Sequence, residues 1–126
     1  MTPTDRKYSQ EHGWAKSEKE SVILGITNYA QEQLTDIVFV ELPDIGRRVK
    51  AGESIAVVES VKSRSDVYSP VTGTVVAVNE ELVNHPEKVN ESPYEDGWIV
   101  KLKVPSADHV KLMDAAAYDK FVASKS

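Results

Sequence analysis

Residues 55–68 read Ile55-Ala-Val-Val-Glu-Ser-Val-Lys-Ser-Arg-Ser-Asp-Val-Tyr68, and the fold is decided by how this stretch is read. Ile55–Val58 is apolar at every position, as in a strand buried on both faces. Two strands, Ile55–Glu59 and Arg64–Tyr68, then flank a reversal centred near Val61 and Lys62. Hairpin tips recruit Gly, Asn or Asp because those residues accept positive φ at little cost. This tip has none of them. A β-branched valine beside a lysine is a poor choice for turn stability alone. The tip is therefore either a type I turn carrying a solubilising lysine, or a recognition element that displays Lys62 to another enzyme.

Short strands extend in both directions from this hairpin. Upstream, Val22–Ile26 is a β-branched run bounded by charge, Ile37–Leu42 ends at Pro43, and Gly46–Gly52 reads as turn, short strand, turn. Between them Asn28 opens a helix signal, with Gln31 three residues on as in a capping box and Tyr29, Ala30 and Leu34 as its apolar face. Downstream, Val67–Tyr68, Val71 and Gly73–Val78 continue the pattern, and Pro86–Asn90 predicts a single helical turn. Trp98, Val100, Leu102 and Val104 alternate with Lys101 and Lys103, and only Ile99 breaks the period. The period then changes: Ser106 and Asp114 read as N-caps, and Tyr118, Phe121 and Val122 share a helical face. The opening segment Met1–Gln10 is polar, with Tyr8 and Trp14 the first aromatic anchors.

There is an internal echo. Gly46–Gly52 leads into the strand at Ile55, and Gly73–Val78 leads later into the strand at Trp98. Two such halves packed face to face make a flattened barrel or sandwich. The expected fold is mainly β, a barrel-sandwich hybrid with short helices and a C-terminal helix. It forms one domain over residues 1–126, with a β-rich core at 7–104 and a helical segment at 106–124.

Composition removes several function classes. The chain has 126 residues, with 15 Lys and Arg against 20 Asp and Glu, a net charge of −5. That length suits one domain, and the acidic balance speaks against a nucleic-acid binder working by counterion release. No apolar run approaches the roughly 20 residues of a membrane span. Met1–Arg6 lacks the apolar core of a secretory signal, so the expected location is the cytoplasm. The chain has no cysteine, which removes disulfides, thiol catalysis and cysteine-ligated metal. His12, His85 and His109 lie at no metal-ligand spacing, and no G-x-S-x-G, P-loop or G-x-G-x-x-G motif occurs. Neither a metal site nor a catalytic residue is expected. Trp14, Tyr29, Phe39 and Trp98 read as core aromatics, and Arg47, Arg48 and Lys50 as a solvated loop.

Glu59-Ser-Val-Lys-Ser63 resembles the lipoylation site of the glycine cleavage system H proteins. Gly25-Ile-Thr-Asn-Tyr-Ala-Gln31, Asp36-Ile-Val-Phe-Val-Glu-Leu-Pro43, Ser69-Pro-Val-Thr-Gly73, Val78-Asn79 and Asn90-Glu-Ser-Pro-Tyr-Glu-Asp-Gly-Trp98 resemble further blocks of that family, in the same order. The resemblance runs from about Tyr8 to Phe121 and implies a lipoyl-domain-like topology with helical additions. It implies lipoate attached to Lys62, with Glu59, Ser60, Val61 and Ser63 read by the lipoyl-attaching enzymes. Amide formation would take the net charge from −5 to −6. Lysine stem and lipoyl chain together give a reach on the order of 10–15 Å, and tethering raises the effective concentration of the arm at each partner.

By the same resemblance the protein is a monomeric carrier and co-substrate, without catalysis of its own. Glycine decarboxylase loads an aminomethyl group on the arm. Aminomethyltransferase releases ammonia and passes the one-carbon unit to tetrahydrofolate, and dihydrolipoamide dehydrogenase reoxidises the dithiol. His12 and Asp66 are expected to line a cleft for the loaded arm. Asp66 would attract the cationic amine, or it is simply an exposed carboxylate. Two positions depart from the family pattern. Glu11-His-Gly13-Trp14 stands where Glu-His-Glu-Trp is usual, so a carboxylate that would shield the passenger from hydrolysis is missing. Thr35 replaces a usual glycine and alters a turn. Gly13 favours an alternative, an H-like relay that holds lipoyl or octanoyl groups for transfer to other complexes. A biotin carrier is disfavoured, since biotinylated lysines usually lie between methionines and Lys62 lies between Val61 and Ser63.

Overall fold

Two antiparallel sheets divide the strands of the chain, and their facing sides make the core. The computed structural model describes residues 2–18, 21–104 and 112–125. In chain order the first elements are β1 (Lys7–Tyr8), β2 (Gly13–Glu18), β3 (Ser21–Ile26), α1 (Asn28–Leu34), β4 (Ile37–Glu41) and β5 (Arg48–Val49). They are followed by β6 (Ser54–Ser60), β7 (Arg64–Tyr68), β8 (Gly73–Val78), α2 (Glu81–Asn84), α3 (Lys88–Glu91), β9 (Val100–Lys103) and α4 (Ala115–Lys125). The six-stranded sheet runs β1-β2-β3-β9-β8-β5 and the three-stranded sheet runs β4-β6-β7. Val22, Leu24, Val75, Val100 and Leu102 from the first sheet and Val40, Ile55, Val58 and Val67 from the second belong to one buried cluster. Hydrophobic burial between the sheets is the main stabilising term. The mainly β sandwich with short helices and a C-terminal helix is therefore the observed fold. Among the described residues the two sheets do not close into a barrel.

Several local readings are corrected. The internal echo does not describe two separate halves, because β5 pairs with β8 in the large sheet while β6, which follows β5, lies in the small one. The opening segment is not merely polar: β1 forms there and pairs with β2, which in turn pairs with β3 over six residues. Thr27, rather than Asn28, caps α1, its hydroxyl accepting the Ala30 N–H at 3.2 Å. The Gln31 amide donates to the Asn28 side chain at 2.8 Å. A single turn, α2, precedes the helical turn expected near Pro86 and buries Leu82. Ile99 breaks the alternation because both it and Val100 are buried.

Of the four aromatics read as core, Trp14 is buried, Tyr29 and Trp98 are half-buried, and Phe39 is exposed. The reason lies in β4. Its register against β6 shifts between Ile37 and Phe39, and this bulge turns both Val38 and Phe39 outward while Ile37 and Val40 stay inside. The candidate N-cap at Ser106 lies outside the described residues. Asp114 does cap α4, its carboxylate accepting the Ala117 N–H at 2.8 Å. Tyr118, Phe121 and Val122 of that helix pack on Tyr8 and Trp14 in a second cluster.

Candidate functional site

The β6–β7 hairpin pairs Glu59 with Arg64, Val58 with Ser65 and Val57 with Asp66. Ser60-Val61-Lys62-Ser63 closes it. The Ser60 N–H donates to the Ser63 carbonyl at 2.7 Å. The Ser60 hydroxyl accepts from the Lys62 N–H at 3.2 Å and from the Ser63 N–H at 3.0 Å, and lies 3.1 Å from the Ser63 carbonyl, to which it donates. One serine side chain thus satisfies the backbone of the tip, a role usually given to Asn or Asp. Among the described non-glycine residues only His12 and Thr35 have positive φ. The tip is therefore built with negative φ throughout and has no need of glycine. The Val61 N–H donates to the Asp36 carbonyl at 3.0 Å, which fixes the apex to the start of β4.

Two cations stand at this tip, and they are treated differently. Arg64 is engaged: one guanidinium nitrogen lies 2.7 Å from Glu59 and another 3.5 Å from Glu41. It therefore spans all three strands of the small sheet. Lys62 is exposed, and its ammonium takes part in none of the ion pairs among the described residues. An acyl group attached in amide linkage requires an amine that is accessible, free of a competing carboxylate and held on a rigid support. The residues present at the tip fit such a group.

Asp66 is exposed on the outer face of the small sheet, where it accepts the Ser54 hydroxyl at 2.9 Å. His12 lies elsewhere. Its φ is 66°, its ring packs 4.7 Å from that of Tyr29, and its Nδ1 is 2.8 Å from the Tyr118 hydroxyl. That hydroxyl also meets Thr27 Oγ1 at 2.7 Å, so His12, the cap of α1 and α4 form one network. Burial pushes the Tyr118 phenol up to about 12. His12 lies between β1 and β2, whereas Asp66 lies on β7. Beside Tyr118 a groove of about 430 Å³ opens between Asn28, Tyr29, Glu32, Tyr94 and Asp119. This groove and the Thr27–Tyr118–His12 network escaped the sequence reading, since each joins distant segments of the chain, Tyr118 lying 91 residues from Thr27 and 106 from His12.

Gly13 is buried. A Cβ placed there would meet the Gly25 carbonyl and the Ser9 hydroxyl at 3.4 Å, an ordinary contact. Sterically, the position admits a side chain. Among the described residues no group of three or more His, Asp or Glu could hold a metal ion, and no helix is long and apolar enough to cross a membrane.

Comparison with known proteins places this geometry in context. Residues 6–125 match the family model described as glycine cleavage H-protein. The glycine cleavage system H protein of Deinococcus radiodurans is 58% identical over 118 residues, covering 94% of both chains. That of Listeria innocua is 54% identical over 119 residues, covering 94% of this chain and 95% of the relative. A crystal structure of the glycine cleavage system H protein from Mycobacterium marinum superposes with a TM-score of 0.90 at 35% identity, covering 96% of this chain and 98% of that one.

Proposed function

The chain belongs to the glycine cleavage H-protein family, and from that premise we propose that it bears a lipoyl group on Lys62 and carries the aminomethyl group of glycine from glycine decarboxylase to aminomethyltransferase. The observation that carries this reading is the Lys62 amine, exposed and without an ion pair at the apex of a hairpin fixed by Ser60 and Asp36. When bound, lipoate supplies a dithiolane, a two-electron couple that also holds a covalent passenger. The protein's own residues support that chemistry without performing it. Ser60 holds the turn closed, and Val61 anchors it to β4. Arg64 occupies Glu59 and Glu41, so neither carboxylate is free to pull the Lys62 ammonium down onto the sheet before modification. The chain is a non-catalytic, monomeric carrier in the cytoplasm, served by lipoyl-attaching enzymes and by dihydrolipoamide dehydrogenase. Glu59, Ser60, Val61 and Ser63 are the residues those attaching enzymes read. In this reading His12 and Asp66 are the residues that would line a cleft for the loaded arm.

A Lys62→Arg variant keeps the positive charge and removes the primary amine. Expressed beside the unaltered chain in a lipoylating host, it is expected to show the unmodified intact mass while the parent gains one lipoyl group. Modification of the variant would remove Lys62 from the assignment. Gly13 favours the second reading, a lipoyl or octanoyl relay. Assays of the lipoylated protein with decarboxylase and transferase separate the two, and turnover with both enzymes is the expected result. Intact lipoylation with no uptake of the aminomethyl group would instead support the relay.

A further inference from the structure

The β4 bulge exposes two apolar residues that an unbroken strand would not expose together. Val38 is 52% and Phe39 46% exposed, whereas their neighbours Ile37 and Val40 are buried. Phe39 lies directly opposite Glu59, three residues before Lys62. Val61, adjoining Lys62, is 67% exposed and is tied by its N–H to Asp36, two residues before Val38. Folding alone gives no reason to turn a phenylalanine out of a sandwich with an otherwise buried strand face, and clustered exposed apolar groups mark contact surfaces.

We propose that Val38, Phe39 and Val61 form the apolar docking patch for the enzyme that acylates Lys62, an inference that rests on the lipoyl assignment above. Two arguments select this partner. First, it alone must bring its active site to Nζ itself, before any arm exists, whereas partners acting on the finished arm work some 10–15 Å further out. A standard interface covers about 800 Å² per partner, a disc of roughly 16 Å radius. One strand spacing of about 4.8 Å separates Phe39 from Glu59, and three residues from there to Lys62 span at most about 10 Å. The patch thus falls inside the footprint. Second, Glu41, Glu59 and Asp66 share the outer face with Arg64 as its counter-charge. The complementary surface is an apolar socket rimmed by Lys and Arg.

The reaction served is simple. The neutral Lys62 amine attacks the carbonyl carbon of an acyl thioester or acyl phosphate held by the enzyme. The amide C–N bond forms, the bond to the leaving group breaks with its electron pair, and the nitrogen's proton passes to a base or water.

The test follows acylation of the full-length unmodified chain by intact mass, as a function of chain concentration, with the purified attaching enzyme. Phe39→Thr and Val38→Thr keep a residue of high strand propensity at each position, Phe39→Leu keeps an apolar anchor, and Val83→Thr alters an exposed valine on α2. The KM for the chain is expected to rise about tenfold in the Phe39→Thr Val38→Thr double variant with kcat held within about twofold. Phe39→Leu and Val83→Thr should stay near the parent. Matching melting curves establish that the variants are folded, and Val38→Thr alone serves if the double variant is not. An unchanged KM in the folded Thr variants overturns the proposal. So does sedimentation showing a dimer that Phe39→Thr dissociates, since a second copy would then cover the patch. Failure of the parent to be acylated, or acylation of Lys62→Arg, would instead defeat the lipoyl assignment on which the patch depends.

Discussion

Thr35 sits at φ 65° and ψ −146°, a region close to one populated almost only by glycine and costing other residues about 1–3 kcal/mol. The surroundings hold it there. Its N–H donates to the Gln31 carbonyl at 2.9 Å, and its carbonyl accepts from the Asn90 side chain at 2.7 Å. The glycine that the family resemblance leads one to expect at this position has a physical reason. Thr35→Gly should relieve the strain, lose about 0.5–1 kcal/mol to glycine's larger unfolded-state entropy, and leave a net gain of about 1 kcal/mol. Urea unfolding with an unchanged slope and a higher midpoint is the expected record, and a midpoint at or below the parent would refute it. The exposed hairpin tip that carries Lys62 was legible in the sequence, because two strand signals flank a reversal that lacks the usual turn residues. The chemistry that replaces those residues, the Ser60 hydroxyl, was local and could have been read from Ser60 and Ser63. The bond between His12 and Tyr118 could not, because it joins residues 106 apart.

Among the elements, the β2–β3 pair shows how a missed strand can still be tightly specified. Gly13, Trp14 and Ala15 are all buried, so β2 lacks the alternation by which a half-buried strand is recognised. Its register instead depends on the fit between Trp14 and Gly25, which are cross-strand partners. A Cβ at Gly25 would fall 2.5 Å from atoms of the Trp14 ring. That ring has little freedom to yield. Its Nε1–H donates to the Pro93 carbonyl at 2.9 Å, and the Arg6 guanidinium lies 4.6 Å above it. Gly25→Ala should therefore destabilise the fold by about 1–3 kcal/mol through overpacking, seen as a lowered melting temperature. A melting curve that coincides with the parent's would show that the indole moves freely. Elements of strong local pattern, such as β6, β7 and α4, were legible. The single turn α2 and the β4 bulge were not, because one is too short to show a period and the other is set by pairing with β6.

At the scale of the whole molecule, the two-sheet architecture was legible from the run of short apolar strands, while the division of strands between sheets was not. The pairing of β5 with β8 joins Arg48 to Thr74 and Val49 to Gly73, a choice made by tertiary packing rather than by either segment. The same packing buries phenols from the N-terminus and from α4 together. Burial raises Tyr8, Tyr94 and Tyr118 above the ordinary 10.0, Tyr118 to about 12. A raised folded-state value means their contribution to stability is complete below about pH 10 and is lost as pH rises through the folded-state value. Phenolate absorbance should thus show Tyr8, Tyr94 and Tyr118 ionising above pH 10, alongside unfolding. Ionisation of these three phenols at or below pH 10 on a still-folded chain would contradict the packing around α4.

The carrier reading stands or falls on chemistry at one nitrogen. Peptide mapping of the chain purified from its own cells, with fragmentation across Glu59–Arg64, reads that nitrogen directly. The account predicts one lipoyl amide on Lys62 and none on any other lysine. An unmodified Lys62, in cells whose other lipoyl proteins are fully modified, would contradict it.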